Sequence, residues 1–286
     1  HGCAEIADRL AGGTATKVDG DLRQSCIRNR IDTLVTRRLS GFDLVPMVVP
    51  HDVEIERVDH VTAAVAAGPH SPFAAAVAAR LGLVMGIDVA AVTVRRPDAD
   101  ADDVEALLSD LAAPHARIET RIVEGESVLD LIETLPDTSL LVVGAPGGSW
   151  LQRQIFGTGH RLQVAAPVGT LTVRSAPQRC FHLVGERRDA VVGSEMAVAD
   201  ARHVVRHAVV SVADHGLLVG LLRRKALVEA PDAALLSDIM EPPVAVDAAD
   251  EVSAIADVRA VFEGGPIPVV DGSDRLVGLI PDEHAA

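Results

Sequence analysis

The amino-acid sequence predicts an α/β fold class: a parallel-sheet domain followed by a smaller α+β unit made of two copies of one motif. Three observations carry that prediction. Between residues 59 and 176, short runs of Val, Ala and Leu alternate with helical stretches, as expected of strands covered on both faces by crossover helices. After "SAPQRC" (residues 175–180) the pattern changes to short strands that come in pairs. The two strand pairs, 208–222 and 267–280, recur at a spacing of roughly 58 residues, the mark of an internal repeat.

The elements of the first domain follow in order. "HVTAAVAAG" is an apolar run ending at Gly68, a strand. "SPFAAAVAARLGLVMG" predicts a helix, with Ser71 as N-cap, Pro72 at the first helical position and alanines of high propensity behind them. "IDVAAVTV" is a second buried strand. "DADADDVEALLSDLA" is acidic at its front, which suits a helix N-terminus. "ARIETRIVEG" alternates as a strand, "ESVLDLIETLP" is a helix stopped by Pro136, and "SLLVVGA" is a strand. An excursion follows, "GTGHRLQVAA" starts another helix, and "PVGTLTVRS" closes the domain as a strand.

Residues 1–52 allow two readings. They contain a partial, degenerate repeat of the same unit, or they are an unrelated N-terminal extension. On the first reading "TATKVDGD" parallels "ETRIVEGE", "LRQSCIRNRIDTLVTRRLSG" is the helix, and "FDLVPMVVPHD" parallels "TSLLVVGAPGG". Val48 and His51 then stand where Gly144 and Gly147 stand, and Pro46 demotes the strand to an edge.

Composition bounds the function. The chain has 286 residues, enough for two or three small domains, and a formal net charge of −15. Such a surface argues against nucleic acid and anionic membranes as partners. There is no Tyr, one Trp and five Phe, so the core is aliphatic. Cys3, Cys26 and Cys180 lie far apart and without the CxxC spacing of a zinc site, so the expected setting is reduced and cytoplasmic. No apolar run is long enough to span a membrane and no signal peptide is visible; the chain starts at His1 rather than Met, so a fragment of a longer protein is one expectation.

In "VVGAPGGSWLQRQIFGTGHRL" (142–162) a strand ends at Gly144, Gly147 follows, and a second turn carries Gly157, Thr158 and Gly159. Glycine turns leading into a helix expose backbone N–H groups that favour an anion. The excursion allows both turns, 144–148 and 157–159, to face one pocket. The pattern Gly-x2-Gly-x9-Gly-Thr is neither a P-loop, for no Lys follows, nor GxGxxG. It resembles the phosphate loop of ATP-binding universal stress proteins, a family with an adenine-nucleotide alpha-hydrolase-like parallel sheet, and the likeness covers residues 57–176. The resemblance implies ATP or another adenine nucleotide as ligand, with only the magnesium that accompanies it. Gly144 and Gly147 would lie along ribose and phosphates, and Gly157, Thr158 and the N–H of Gly159 would hold the terminal phosphates. Val143 would pack near the sugar. In that family the first strand usually ends in an aspartate; here Ala66 stands there, and the missing carboxylate costs about tenfold to hundredfold in affinity.

Residues 178–286 resemble a tandem pair of CBS modules, at about 186–228 and 236–286. "DIMEPPVAVDAADEVSAIADVRAVFEGGPIPVVDGSDRLVGLIPDEH" is the fuller copy, with Asp271-Gly272 as its hairpin turn, and "AVVGSEMAVADARHVVRHAVVSVADHGLLVGLLRRKAL" the poorer. Such pairs commonly bind adenosine-type ligands through Gly, two apolar residues, Ser or Thr, two residues, then Asp. Here "GLLRRKA" has Arg223 and Ala226 at the polar positions, and "GLIPDEH" has Pro281 and His284. A structural or dimerising role is therefore expected of the pair. Arg161 and the run Arg223–Lys225 are candidate phosphate contacts, though a cationic run is more often a solvated face.

His203 and His207 lie four apart on a predicted helix, the spacing of two ligands on one face, but no third ligand is evident, so no metal site is expected. Trp150 and His160 flank the glycine turns. No nucleophile–base set is evident, so the chain is not expected to be an enzyme beyond a weak ATPase. The expectation is a cytoplasmic, homodimeric regulatory protein of the stress-response type that binds a small-molecule nucleotide. The alternatives are a ligand-free dimeric scaffold and the soluble regulatory region of a transporter or channel.

Overall fold

The computed structural model describes residues 2–18, 20–97, 100–115, 117–126, 128–145, 166–185 and 190–282. They form two compact units: residues 1–17 with 33–176, and residues 18–32 with 177–286.

The first 52 residues are divided between the units. Helix α1 (Gly2–Ala11) belongs to the first, α2 (Leu22–Asn29) to the second, and strands β1 (Leu34–Val35) and β2 (Met47–His51) to the first. The helix expected over "LRQSCIRNRIDTLVTRRLSG" is cut short. Asp21 caps its start by accepting the Gln24 N–H at 3.1 Å. Arg30 ends it in a left-handed conformation (φ 50°), its N–H turned back to the carbonyls of Cys26 and Ile27. The β-branched residues beyond it favour extended backbone, and Leu34–Val35 becomes a strand. Residues 14–18 carry no strand, in contrast to the parallel drawn with "ETRIVEGE".

Residues 33–176 continue with β3 (His60–Ala64), α3 (Ser71–Met85), β4 (Asp88–Arg95), α4 (Ala101–Ala112), β5 (Ile118–Glu124), α5 (Val128–Ile132), β6 (Ser139–Gly144) and β7 (Thr170–Arg174). The sheet order is β1-β2-β7-β6-β3-β4-β5. Strands β3 to β7 are mutually parallel, whereas β2 runs antiparallel to β7. Alternation along each strand sends residues to both faces. Val61, Ala63, Val89, Ala91, Leu140 and Val142 pack with residues of α1, α3 and α4; Ala64, Ala90, Val92, Leu141 and Val143 pack with Leu131 of α5. Pro46 does not make β2 an edge, because it precedes the strand and its C=O accepts the Leu34 N–H. The proline inside the strand is Pro50. Val48 O accepts from Thr36, so by alternation Pro50 faces the same side, past the end of β1, where a missing N–H breaks no ladder bond.

The first turn of α3 is shifted by one residue from the expectation. His70 is the N-cap and makes no side-chain cap bond, Ser71 is the first helical residue, and its Oγ accepts the Ala66 N–H at 3.1 Å. Farther along, Arg80 donates to Leu10 O at 2.9 Å and Ala11 O at 3.3 Å, satisfying the last carbonyls of α1.

The second unit is a duplication. A 3-10 turn (Cys180–Leu183), β8 (Val191–Gly193), α6 (Val198–Val204), β9 (Val209–Asp214), β10 (Leu217–Arg223) and α7 (Arg224–Glu229) form the first copy. Helix α8 (Leu236–Ile239), β11 (Val246–Asp247), α9 (Ile255–Phe262), β12 (Ile267–Val270) and β13 (Leu276–Ile280) form the second. Each copy holds a three-stranded sheet in which a short first strand runs parallel to the middle one and the last two form a hairpin. The copies are related by roughly 58 residues, with Gly220 matching Gly278 and Leu221 matching Leu279. Their lead-ins cross over: Glu241, ahead of β11, bridges to Leu221 of β10, and Gly185, ahead of β8, bridges to Leu279 of β13. The β9–β10 turn is His215-Gly216, both at positive φ, as expected of a tight hairpin. The β12–β13 turn is longer than the Asp271-Gly272 dipeptide predicts. Asp271 accepts the N–H groups of Ser273 and Arg275, and Asp274 is the left-handed residue (φ 58°).

Cys26 and Cys180 are fully buried. Burial pushes the Cys180 thiol up to about 11, with Asp250 and Asp247 adding to the shift, and burial also raises Cys26. Since the thiolate is the reactive form, a native chain should give one fast thiol toward a disulfide reagent, the half-buried Cys3. All three should react after denaturation. Rapid native labelling of Cys180 would contradict its placement.

Candidate functional site

The strand order reverses between β3 and β6. From β3 the strands run outward to β4 and β5; the chain then returns across the sheet to β6 on the other side of β3 and continues to β7. At such a switch point the connections leave in opposite directions and open a crevice at the carboxyl ends of the strands. Gly144 ends β6 at this place, beside the segment Ala64–His70 that leaves β3. Of the residues assigned to the nucleotide, Val143 and Gly144 can be described; Gly147, Gly157, Thr158, Gly159 and Arg161, with Trp150 and His160, lie outside the described residues. The Val143 side chain is buried on the α5 side of the sheet. Gly144 has a physical requirement of its own, because a Cβ there would stand 3.0 Å from the His70 Cβ. The close approach brings the start of α3 against the end of β6.

Sequence reasoning missed the polar group this creates. The Ser175 N–H donates to His70 Nδ1 at 3.2 Å, and Ser175 Oγ lies 2.7 Å from that nitrogen and 3.0 Å from Pro69 O. A ring that accepts at Nδ1 carries its proton on Nε2 when neutral. Burial lowers the His70 pKa and the Arg174 guanidinium lowers it further, so the ring is neutral at pH 7. Arg174 itself donates to Ser40 O at 2.6 Å. Ala66 is half-buried in the same turn, its N–H taken by Ser71. The carboxyl end of the sheet thus offers the N-terminus of α3, a neutral imidazole and one guanidinium, with no carboxylate among these groups. Two concavities among the described residues lie elsewhere, one beside the first turn of α1 and one between α4 and β5.

His51 is also lowered, burial outweighing the opposing Asp52. For both histidines the folded pKa lies below the usual imidazole value of about 6.5, so just below that value the unfolded chain binds more protons. Their contribution is complete above about pH 6.5 and is lost as pH falls toward the folded values. The thermal midpoint should therefore drop between pH 7.5 and 5.5, and His70→Gln should flatten that dependence; a midpoint independent of pH across this window would refute the assignment.

In the second unit Arg223 stands at the end of β10, where the related copy has Pro281. Its Nε lies 2.9 and 3.2 Å from the two Glu241 oxygens and its Nη1 is 2.9 Å from Glu263. Ala226 lies on α7, and His284 is outside the described residues. A Cβ on Gly185 would stand 2.9 Å from Pro281 Cγ. One end position is therefore held by an internal ion pair to two carboxylates and the other by close apolar contact. Among the described residues no helix is long and apolar enough to cross a membrane, and no group of His, Cys, Asp and Glu is placed to hold a metal ion.

No family model matches this chain, and no curated protein does. Solved structures similar to it include the soluble part of a magnesium transporter, 20% identical with a TM-score of 0.33, over 37% of this chain and 45% of that one. A CBS-domain-pair/ACT-domain protein from Thermotoga maritima is 18% identical, with a TM-score of 0.35 over 38% of this chain and 93% of that one. A CBS domain pair in complex with 5′-methylthioadenosine and S-adenosyl-L-methionine is 18% identical, with a TM-score of 0.32 over 38% of this chain and 92% of that one. The chain thus spans less than half of the transporter fragment and nearly all of the two CBS-pair structures.

Proposed function

We propose that this chain is a regulatory protein that binds an adenine nucleotide, as the magnesium complex, at the switch point of its first unit. The observation that carries the reading is the strand order: it sets Gly144, the first glycine of the Gly-x2-Gly-x9-Gly-Thr pattern, at the carboxyl end of β6 beside β3. The order β5-β4-β3-β6-β7, all parallel, also supports the universal-stress-protein reading of residues 57–176. The phosphates would meet the N–H groups of the two glycine turns, and the first-strand anchor is absent because Ala66 replaces a carboxylate. On this reading the second unit is a CBS-like pair, supported by its duplicated β-α-β-β order, and it transmits or dimerises rather than catalyses.

Calorimetric titration with magnesium-ATP tests this with three proteins. Wild type should bind weakly, Gly157→Asp should give no heat, and Ala66→Asp should bind about tenfold to hundredfold more tightly than wild type by restoring a charge-assisted bond. No heat at millimolar ATP from either wild type or Ala66→Asp would remove the nucleotide reading.

One observation favours the second reading, a ligand-free scaffold: Arg223 is tied to Glu241 and Glu263, and Pro281 lies against Gly185, so the second unit has filled its own anchor positions. The soluble regulatory region of a transporter or channel is a further proposal, to be checked on the sequence flanking the chain.

A further inference from the structure

Strand β5 ends the seven-stranded sheet, and among the described residues its only strand partner is β4. The β4–β5 register runs unbroken from Val89↔Ile118 to Arg95↔Glu124. The Gly125 N–H donates to Arg95 O, so the odd-numbered residues of β5 turn their backbone groups toward β4. By alternation Ile118, Thr120 and Ile122 present theirs to the open edge. Several guards against edge pairing are missing: the strand has no Pro, no Lys and no bulge. It does carry three exposed charges: Glu124, paired with Arg95 of β4, and Glu119 and Arg121, which lie 3.4 Å from each other and are set symmetrically about Thr120.

That arrangement is self-complementary. The run Ile118-Glu119-Thr120-Arg121-Ile122 reads, when reversed, as the antiparallel partner of itself. A two-fold axis at Thr120 sets Glu119 opposite Arg121 twice, Ile118 opposite Ile122 twice and Thr120 opposite itself. The same axis makes 118, 120 and 122 the hydrogen-bonded positions, and these are the residues whose backbone faces outward. Ile118 and Ile122 also line the groove beside α4, where they are only partly buried. A second strand would cover them.

We propose that β5 is a homodimer interface: two copies of this chain pair antiparallel and in this register, joining their sheets into one. The interface is isologous, each copy giving the same residues to the other. It stands apart from the nucleotide reading, and it assigns dimerisation to the first unit rather than to the CBS-like pair.

The charges supply the test. Sedimentation equilibrium of the full chain should show a reversible dimer. Glu119→Arg puts arginine against Arg121 at both ends and should weaken it about tenfold or more. The charge-exchanged pair, Glu119→Arg with Arg121→Glu, is again self-complementary and should return the dissociation constant to near the wild-type value. Thr120→Pro removes an N–H that by register faces away from β4, so it should abolish the dimer while leaving unchanged the thermal midpoint measured at dilutions where the wild type is monomeric, which separates lost pairing from lost folding. A double variant as weak as Glu119→Arg alone would overturn the proposed register. A dimer indifferent to all three variants assigns association to another surface, and a chain monomeric at ~100 µM leaves the edge to a strand of another protein; both outcomes overturn the proposal.

Discussion

Replacing Gly169 with alanine should cost the first unit about 2–6 kcal/mol, a large part of the stability of an ordinary domain. Gly169 sits just ahead of β7 at φ 110°, a conformation that residues with a Cβ rarely adopt. A Cβ there would lie 2.6 Å from Val53 Cα, 2.7 Å from Asp52 O and 2.8 Å from Val53 N. All three are backbone atoms, so no side-chain rotation relieves the overlap. The backbone on either side is committed: Gly169 O accepts the Leu141 N–H at 3.2 Å, and Val168 O accepts the Glu54 N–H at 3.0 Å. Urea denaturation would read the effect as a lower midpoint. Gly193→Ala is the control, since a Cβ there meets nothing within 4 Å. Equal midpoints for the two variants would mean that the Asp52–Val53 turn does not approach β7 as described.

Phe181→Ala should cost the second unit about 3–5 kcal/mol. The ring is fully buried and tilted against His182, with centroids 4.0 Å apart. The cost of a cavity depends on how far the surroundings can collapse into it, and here they are pinned. The Cys180 N–H donates to Asp250 O and the Phe181 N–H to Ala248 O. Phe181→Leu leaves a smaller void and should lose less. Hydrogen exchange would locate the loss in residues 177–282; a change confined to the seven-stranded sheet would contradict the division of the chain into these units.

Much of the architecture could be read directly from local patterns. Strands β3, β4, β6 and β7 came from apolar runs, and α4 from the acidic turn behind Asp100, whose carboxylate accepts the Asp102 N–H. What escaped depends on distant residues. Ser71 looks like an N-cap, but its hydroxyl serves Ala66, so the helix boundary moves by one. Pro46 looks like the edge marker, yet where Pro50 can sit is decided by the length of β1, which nothing within β2 encodes. At the candidate site, the end of β6 at Val143 and Gly144 was legible because a strand followed by glycine is a local signal. His70 and Ser175 were not, because the fold alone brings the end of β7 to the start of α3. Arg223 belonged to a cationic run in the sequence, and its partners Glu241 and Glu263 come from other elements of the duplicated unit.

The crossed lead-ins of the second unit bear on how it can change over time. Each half borrows the cover of its last strand from the segment that introduces the other half, Glu241 for Leu221 and Gly185 for Leu279. Deleting either half would strip a margin from the survivor, so neither half is self-sufficient as it stands. A substitution at one junction is likewise felt in the opposite half, because the bridge it disturbs belongs to that half's last strand.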